Sequence, residues 1–462
     1  MRTLPAATER FEGKRVTVIG LAREGIALTR FLSAHGARVT VSDSKPPDEM
    51  KAVLSQLQGL EVNFSLGGNR IEDALAADLV FVSPGVPPTL PPIQAARRAG
   101  IPISSSTRLF FQLSPGRIAG ITGSCGKSTT TTLLGRMLEA GEKKTLVGGN
   151  LGIPLLERLP EMDQDTWAVL ELSSFQLQDM EESPHIAIIT NIRPDHLDRH
   201  ASADEYVTAK SQIFRHQKPD DYLLLNYDDP ATRSMAGESL SQAFFFSIEE
   251  ELPKGAFVQG DNLVVSVDGH SNVICGVTEI RLLGRHNLYN VLASSLAATL
   301  GGVDPWVIGG VARSFQGLPH RLELVRKVNG VSYYDDSIAT TPDRAVAAIR
   351  AFHRPVILIS GGRDKHLPLE PLAQAIREGC KAVVLYGEGG SLLLGSLAGP
   401  EAHGSGVAVL IAHAFQEAVG KAASLAKTGD VVLMAPGFTS FDQFSSFEER
   451  GNRFRELVER LD

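Results

Sequence analysis

Short apolar runs alternate with helically spaced apolar positions along most of the chain. Residues 15–20 form an apolar run that breaks at Gly20-Leu-Ala-Arg-Glu-Gly25. Ile26, Leu28, Phe31 and Leu32 then recur with the spacing of a helix face. RVTVSD reads as a second strand ending at Asp43, DLVFVSPG as a third ending in Ser83-Pro84-Gly85, and IPISSS as a fourth ending near Ser106. Strand, glycine turn, helix, strand is the opening of a Rossmann-like unit. We place its end near residue 112.

A second unit begins with the strand Ile118 to Ile121, a glycine turn and a helix pattern from Thr129. KTLVGGN, WAVLELSS and HIAIITN supply further strands, and ADEYVTAKSQIF and GRHNLYNVLASSLAATL supply helices. Residues 251–283 differ in texture. Short strand patterns joined by Gly and Asp-Gly turns read there as a small β-rich insertion. A third unit starts near Gly317, and RPVILISGGRDKH, KAVVLYGE, VAVLIA and VVLMAPG alternate with helical stretches. The fold predicted is α/β in three domains. They are a Rossmann-like N-terminal domain (1–112), a central P-loop ATPase-like domain with a mostly parallel sheet (113–314) and a Rossmann-like C-terminal domain (315–462).

Composition narrows this picture little. A chain of 462 residues with 43% hydrophobic and 21% charged residues is ordinary for a soluble globular protein. A net charge of −8 gives no reason to expect a nucleic-acid partner. Cys125, Cys275 and Cys380 are isolated, which reads as reduced thiols in a cytoplasmic protein and not as a disulfide framework or zinc site. No apolar signal segment opens the chain and no run is long enough for a membrane span.

The chemistry concentrates in RIAGITGSCGKSTTTTLL, residues 117–134. Glycines let backbone N–H groups converge on an anion, the helix N-terminus adds positive partial charge, and a lysine reaches the outer phosphates. Gly123, Ser124, Gly126, Lys127, Ser128 and Thr129 are the candidate phosphate-binding residues, with Ser128 placed as the Mg²⁺-binding hydroxyl. A strict GxxxxGK[ST] loop would have glycine at 121, where this chain has Ile121. Glu171 ends an apolar strand, where P-loop enzymes put a second Mg²⁺ anchor. Helix capping is the competing reading, and Ser173-Ser174 suit capping equally. His196 and His200 are spaced i, i+4 without the HExxH pattern, so His196 reads as an Mg²⁺ or phosphate neighbour. Lys210, by pattern alone, reads as a solvated lysine. In the N-terminal turn Ala22 replaces the middle glycine of GxGxxG, which weakens a nicotinamide site. One ATP site between two α/β lobes suits a ligase that joins two substrates. A signalling or motor NTPase and a nucleotide-sugar oxidoreductase remain open on these residues alone.

The chain resembles the Mur ligases along nearly its whole length. The carriers are GITGSCGKST (120–129), VGGNLGIP (147–154), LELSSFQL (170–177), DHLDRH (195–200), GRHNLYN (284–290), GLPHRLE (317–323) and FDQFSSFEERGNRF (441–454). ELSSFQL together with the Ser440–Phe454 segment resembles the members that add D-glutamate. The P-loop alone fits the wider family, including folylpolyglutamate synthetases. The resemblance implies an ATP-dependent, amide-forming ligase of peptidoglycan synthesis, with UDP-N-acetylmuramoyl-L-alanine and D-glutamate as substrates. It implies two Mg²⁺ ions held by Ser128, Glu171, His196 and a carbamylated Lys210. Asn287, Asn290, Arg321 and Asp336 would contact ATP. Asp43, Ser44, Ser83 and Gly85 would receive the UDP end, and Asn150 and Ser173 the muramoyl-alanine side. Thr340, Lys365, Ser440 and Phe447 would bind D-glutamate. A monomer is expected. Two positions depart from the pattern: Cys125 where many relatives have asparagine, and Ile338 where some have lysine. Arg363 or Lys365 are the candidates to replace that lost charge.

Overall fold

A computed structural model describes residues 9–152, 154–193, 202–398 and 406–461. The chain divides into two compact units, Met1–Ile280 with Leu288–Arg313, and Arg281–Asn287 with Ser314–Asp462.

The first unit carries two sheets. The first contains β1 (Arg15–Ile19), β2 (Arg38–Asp43), β3 (Val62–Leu66), β4 (Leu79–Val82) and β5 (Ile103–Ser104), and α1 (Arg23–Ala34) follows β1. Its order is β3-β2-β1-β4-β5, with every pairing parallel. Val16, Val18, Val39, Val41, Val80 and Phe81 are buried on the inner strands, as a sheet covered on both faces requires. The edge strand β3 escapes the sequence reading because its residues are only half-buried or exposed. IPISSS yields only two strand residues. Ser105 turns the chain into a helix, its side chain accepting the Arg108 N–H as an N-cap.

The second sheet holds β6 (Arg117–Thr122), β7 (Thr145–Gly149), β8 (Trp167–Glu171), β9 (Ile186–Ile189), β10 (Tyr222–Asn226), β11 (Gln242–Ser247), β12 (Gly255–Gln259), β13 (Asn262–Val267) and β14 (His270–Gly276). Its order is β14-β13-β12-β11-β10-β9-β6-β8-β7. The β-rich stretch is therefore continuous with the central sheet. β12 pairs parallel with β11, and β13 and β14 extend the edge antiparallel. The helices that matter for the site are α2 (Lys127–Ala140), α3 (Ser174–Leu177), α4 (Ala203–Arg215) and α5 (His286–Leu300). α2 starts two residues earlier than its apolar pattern does, because Gly126 adopts φ +86° and turns the chain into the helix. Leu133, Leu134, Met137 and Leu138 of α2 are buried against the sheet, each contributing about 1.5–3 kcal/mol.

The second unit has one sheet, from β15 (Glu323–Val328), β16 (Val331–Asp335), β17 (Val356–Gly361), β18 (Cys380–Tyr386), β19 (Ala408–Ala412) and β20 (Val431–Met434). Its order is β15-β16-β20-β17-β18-β19. Asn329 and Gly330, both at positive φ, make the tight turn of the β15–β16 hairpin. Helices α6 (Pro342–Arg350) and α7 (Phe447–Glu459) complete the parts used below, with Phe454 and Val458 anchoring α7 in the core. No helix among the described residues is long and apolar enough to cross a membrane.

Candidate active site

β6 delivers the glycine loop to the carboxyl edge of the central sheet. Ile121, at the position a strict P-loop gives to glycine, is the fully buried neighbour of Glu171 and Ile188 in the strand register. The conformational demands fall on other residues. Gly123 has φ +144°, and a Cβ there would lie 2.0 Å from Thr190 Oγ1. A Cβ on Gly126 would lie 2.3 Å from Asn290 Oδ1. The loop is stitched to the exit of β9. Thr190 Oγ1 donates to Cys125 O (2.6 Å), Asn191 Oδ1 accepts from Cys125 N–H (3.0 Å), and Ser124 Oγ accepts from Arg193 N–H (2.8 Å). Lys127 folds onto its own loop, donating to Gly123 O (2.9 Å) and Ser124 O (3.0 Å). Ser128 is half-buried and Thr129 buried at the start of α2.

Lys210 is not a solvated lysine. It is 2% exposed, donates to Gly123 O at 2.8 Å and lies 4.6 Å from the centre of the Tyr206 ring. The helical pattern of α4 does not reveal that its inner face meets the back of the glycine loop. Two ammonium groups thus share one carbonyl oxygen, which concentrates positive charge beneath the loop. Glu171, also buried, accepts from Asn150 Nδ2 at 3.0 Å through Oε1. Its Oε2 is buried with no hydrogen-bond partner. Capping is done instead by Ser173, whose Oγ accepts from Gln176 N–H in a capping box. An acid with one unused, buried oxygen beside a glycine loop suits a bound cation.

In the first sheet Asp43 ties the neighbouring turn together: Oδ2 accepts from Leu21 N–H (2.7 Å) and Oδ1 from Lys45 N–H (3.0 Å). Ser83 Oγ donates to Gly20 O (2.7 Å), while Ser44 and Gly85 are exposed at the same sheet edge. Ser83 and Gln176 both line a cavity of about 700 Å³. Gln176 Nε2 in turn donates to Glu24 Oε1 (2.8 Å). Burial pushes the Glu24 carboxyl up to about 7, against the lowering effect of that bond.

The second unit gathers its own polar set at the carboxyl edge of its sheet. Asp336 follows β16, accepts from Leu322 N–H (3.0 Å) and is pushed up to about 7 by burial, with Arg321 among the groups holding it down. His320 Nδ1 lies 2.6 Å from Asp335 Oδ2, a bond that raises the imidazole above its ordinary value. Thr340 N–H donates to Ile338 O (2.8 Å). Ser440 is buried, its carbonyl accepting from Phe444 N–H (2.9 Å). Phe447 opens α7 with its ring edge-on to His320, centroids 6.3 Å apart. Asn287 Nδ2 donates to Leu283 O (2.7 Å).

Profiles of the Mur ligase MurD-like N-terminal domain, the Mur ligase middle domain and the Mur ligase glutamate ligase domain match residues 14–105, 121–298 and 320–438 in turn. The chain belongs to the Mur ligase family. It is 40% identical over 457 residues to the UDP-N-acetylmuramoylalanine–D-glutamate ligase of Acetivibrio thermocellus, covering 98% of each chain. The enzyme of the same name from Symbiobacterium thermophilum is 41% identical over 456 residues, covering 97% of this chain and 98% of that one. The UDP-N-acetylmuramate-alanine ligase structure from Thermotoga maritima has the same fold. Its TM-score is 0.61 at 19% identity, over 96% of this chain and 99% of that one.

In this Mur ligase Lys127, Lys210 and Asn290 meet at the glycine loop, and Glu171 pairs in register with the strand that carries it. His196 and His200 lie outside the described residues. Sequence reasoning missed Thr190 and Asn191, although their place directly after an apolar strand was a usable signal. It also missed Arg450. Fully buried, Arg450 donates to Ser337 Oγ (3.0 Å), Ser337 O (2.9 Å) and Phe438 O (3.2 Å) and so holds the Asp336 turn against the segment leading to Ser440.

Proposed function

We propose that this Mur ligase joins D-glutamate to the L-alanine carboxylate of UDP-N-acetylmuramoyl-L-alanine, using ATP, in bacterial peptidoglycan precursor synthesis. The observation that carries the reading is end-to-end identity of about 40% with ligases named for that reaction. The chemistry proceeds in two steps. The carboxylate attacks the γ-phosphorus of ATP, forming an acyl phosphate and releasing ADP. The amine of D-glutamate then attacks the acyl carbon, phosphate leaves, and the amine proton passes to solvent or phosphate. No side chain has to become a covalent nucleophile.

Gly123, Ser124, Gly126, Lys127, Ser128 and Thr129 cradle the phosphates, and Lys127 turns from its own loop toward them. Asn287, Asn290, Arg321 and Asp336 contact the rest of ATP. Two Mg²⁺ ions would be held by the unused oxygen of Glu171, the hydroxyl of Ser128, His196 and Lys210 as a carbamate. They supply neutralisation of the charge on the migrating phosphoryl. A carbamate on Lys210 keeps one N–H for Gly123 O, so burial of that nitrogen is compatible with the modification. Residues 1–112 take the UDP end through Asp43, Ser44, Ser83 and Gly85. Asn150 and Ser173 face the muramoyl-alanine. Residues 113–314 bind ATP. Residues 315–462 bind D-glutamate through Thr340, Lys365, Ser440 and Phe447, and the enzyme acts as a monomer in the cytoplasm.

The test is phosphate release from ATP with UDP-N-acetylmuramoyl-L-alanine and a panel of amino acids. Release should need both the nucleotide substrate and D-glutamate. Release from ATP alone, or preference for another amino acid, would overturn the reading.

A further inference from the structure

The first turn of α1 reaches the central sheet at two points. Glu24 Oε1 accepts from Gln176 Nε2 at 2.8 Å, across 152 residues of sequence. Arg23, one residue earlier, lies so near Gly152 that a Cβ there would sit 2.3 Å from Arg23 Nη1. Gly152 stands just beyond Asn150, and Gln176 just beyond Ser173. The segments that follow β7 and β8 are thus both met by side chains from the leading helix of the first sheet. Gln176 has little freedom in this link. It is buried, and its Oε1 accepts from Ser173 N–H (2.9 Å) and Ser173 Oγ (3.1 Å). With the amide oxygen turned to the capping box, the amide nitrogen is turned to Glu24. Without an acceptor at residue 24, a buried N–H would be left unsatisfied.

An acid in the first turn of a helix suits the helix dipole, but an exposed one would do so without losing water. Glu24 instead has its Oε2 closed off from solvent with no hydrogen-bond partner. The charged groups around it are engaged elsewhere: Arg23 against Gly152, Asp43 with Leu21 and Lys45 N–H, and Glu171 with Asn150. A ligand gripped at one end by the first sheet and at the other by the central sheet binds best when the spacing of the two grips is fixed beforehand. We infer that Glu24 is a positioning residue: through Gln176 it sets the Ser173 turn against the first sheet, so that UDP-N-acetylmuramoyl-L-alanine meets both grips already aligned. The inference rests on the substrate reading above. Burial raises the Glu24 carboxyl from an ordinary 4.5 to about 7, so the closed link binds its proton more tightly than an open one. The link is strongest in acid and weakens as pH rises through 7.

Calorimetric binding of UDP-N-acetylmuramoyl-L-alanine to the full-length enzyme tests it, with steady-state kinetics alongside. At about pH 6, E24A should raise Kd about three- to tenfold, the range of one net hydrogen bond. E24Q keeps an acceptor for Gln176 and should bind as wild type does. KM for ATP and for D-glutamate should stay within about twofold in both variants, since the residues assigned to them lie outside the first sheet. The ratio of wild-type to E24Q Kd should rise about threefold or more between pH 6 and pH 8, because only wild type carries a carboxyl that ionises there. In a Q176A background E24A should add nothing, the link being already gone. An unchanged Kd in E24A, or an equal rise in KM for ATP, overturns the assignment. A flat ratio overturns the dependence on ionisation. A full further rise in the Q176A background means that Glu24 does not act through Gln176, and overturns that route. Wild type that does not bind this nucleotide at all fails the substrate reading, whereas wild type that binds it no better than E24A fails this inference alone.

Discussion

Two strand–glycine turn–helix segments in the first unit share a backbone plan and differ in charge. The turn after β1 uses Gly20 at φ +92° and packs Gly25 so tightly that a Cβ would meet Gly20 O at 2.1 Å. The turn after β6 uses Gly123 and Gly126 in the same way. At the first, the Leu21 N–H is already given to Asp43, and the first turn of α1 carries the half-buried, weakly acidic Glu24. At the second, the first turn of α2 carries Lys127, and a second buried lysine lies under the loop. Glycines make room for a phosphate. The side chains in and behind the helix start set how much positive charge faces that room.

Removing the cation of the second turn should have the largest effect. Lys127→Ala is expected to lower ADP formation by roughly 10³-fold or more, since a positioned donor at a transferring charge is worth about that much. Normal turnover in this variant would falsify the phosphate-cradle role and erase the contrast between the two turns. Lys210→Ala should lower turnover by roughly 10²-fold, the order seen when partners that orient metal ligands are lost. Added short carboxylates should restore part of it. A variant as active as wild type would sink the carbamate.

The smallest effect sharpens the other side of the comparison. Folded Glu24 titrates at about 7 against an ordinary 4.5, so the native state binds its proton more tightly than the unfolded chain does. That contribution to stability is full below about pH 4.5 and is lost as pH rises through 7. Glu24→Gln should therefore flatten this slope and be the more stable protein at pH 8, by on the order of 2–3 kcal/mol. Asp336 shifts in the same direction, so the difference between the two pH–stability curves isolates Glu24. Superimposable curves would show that the carboxyl is not buried in solution.

The alternation of apolar runs and helical patterns was enough to read three parallel-rich sheets, and the glycine loop announced itself through Gly126-Lys127-Ser128. Ser173 and Gln176, three residues apart, carried the capping box openly. Other features depend on which strands become neighbours. Lys210 looks solvated because helical periodicity cannot say what meets the inner face of α4. Thr190 and Asn191 become loop clamps only once β9 lies beside β6. Glu24 is an ordinary helix-start acid until Gln176, 152 residues away, closes over it.

The clamp on the glycine loop also sets a timetable. Gly126 ends against Asn290, and Thr130 Oγ1 donates to Asn290 Oδ1 across 160 residues of sequence. At typical translation speeds that partner leaves the ribosome roughly 10–30 s after the loop itself. During that interval the nascent chain carries the glycine loop without the Asn290 side chain that packs against Gly126 and Thr130.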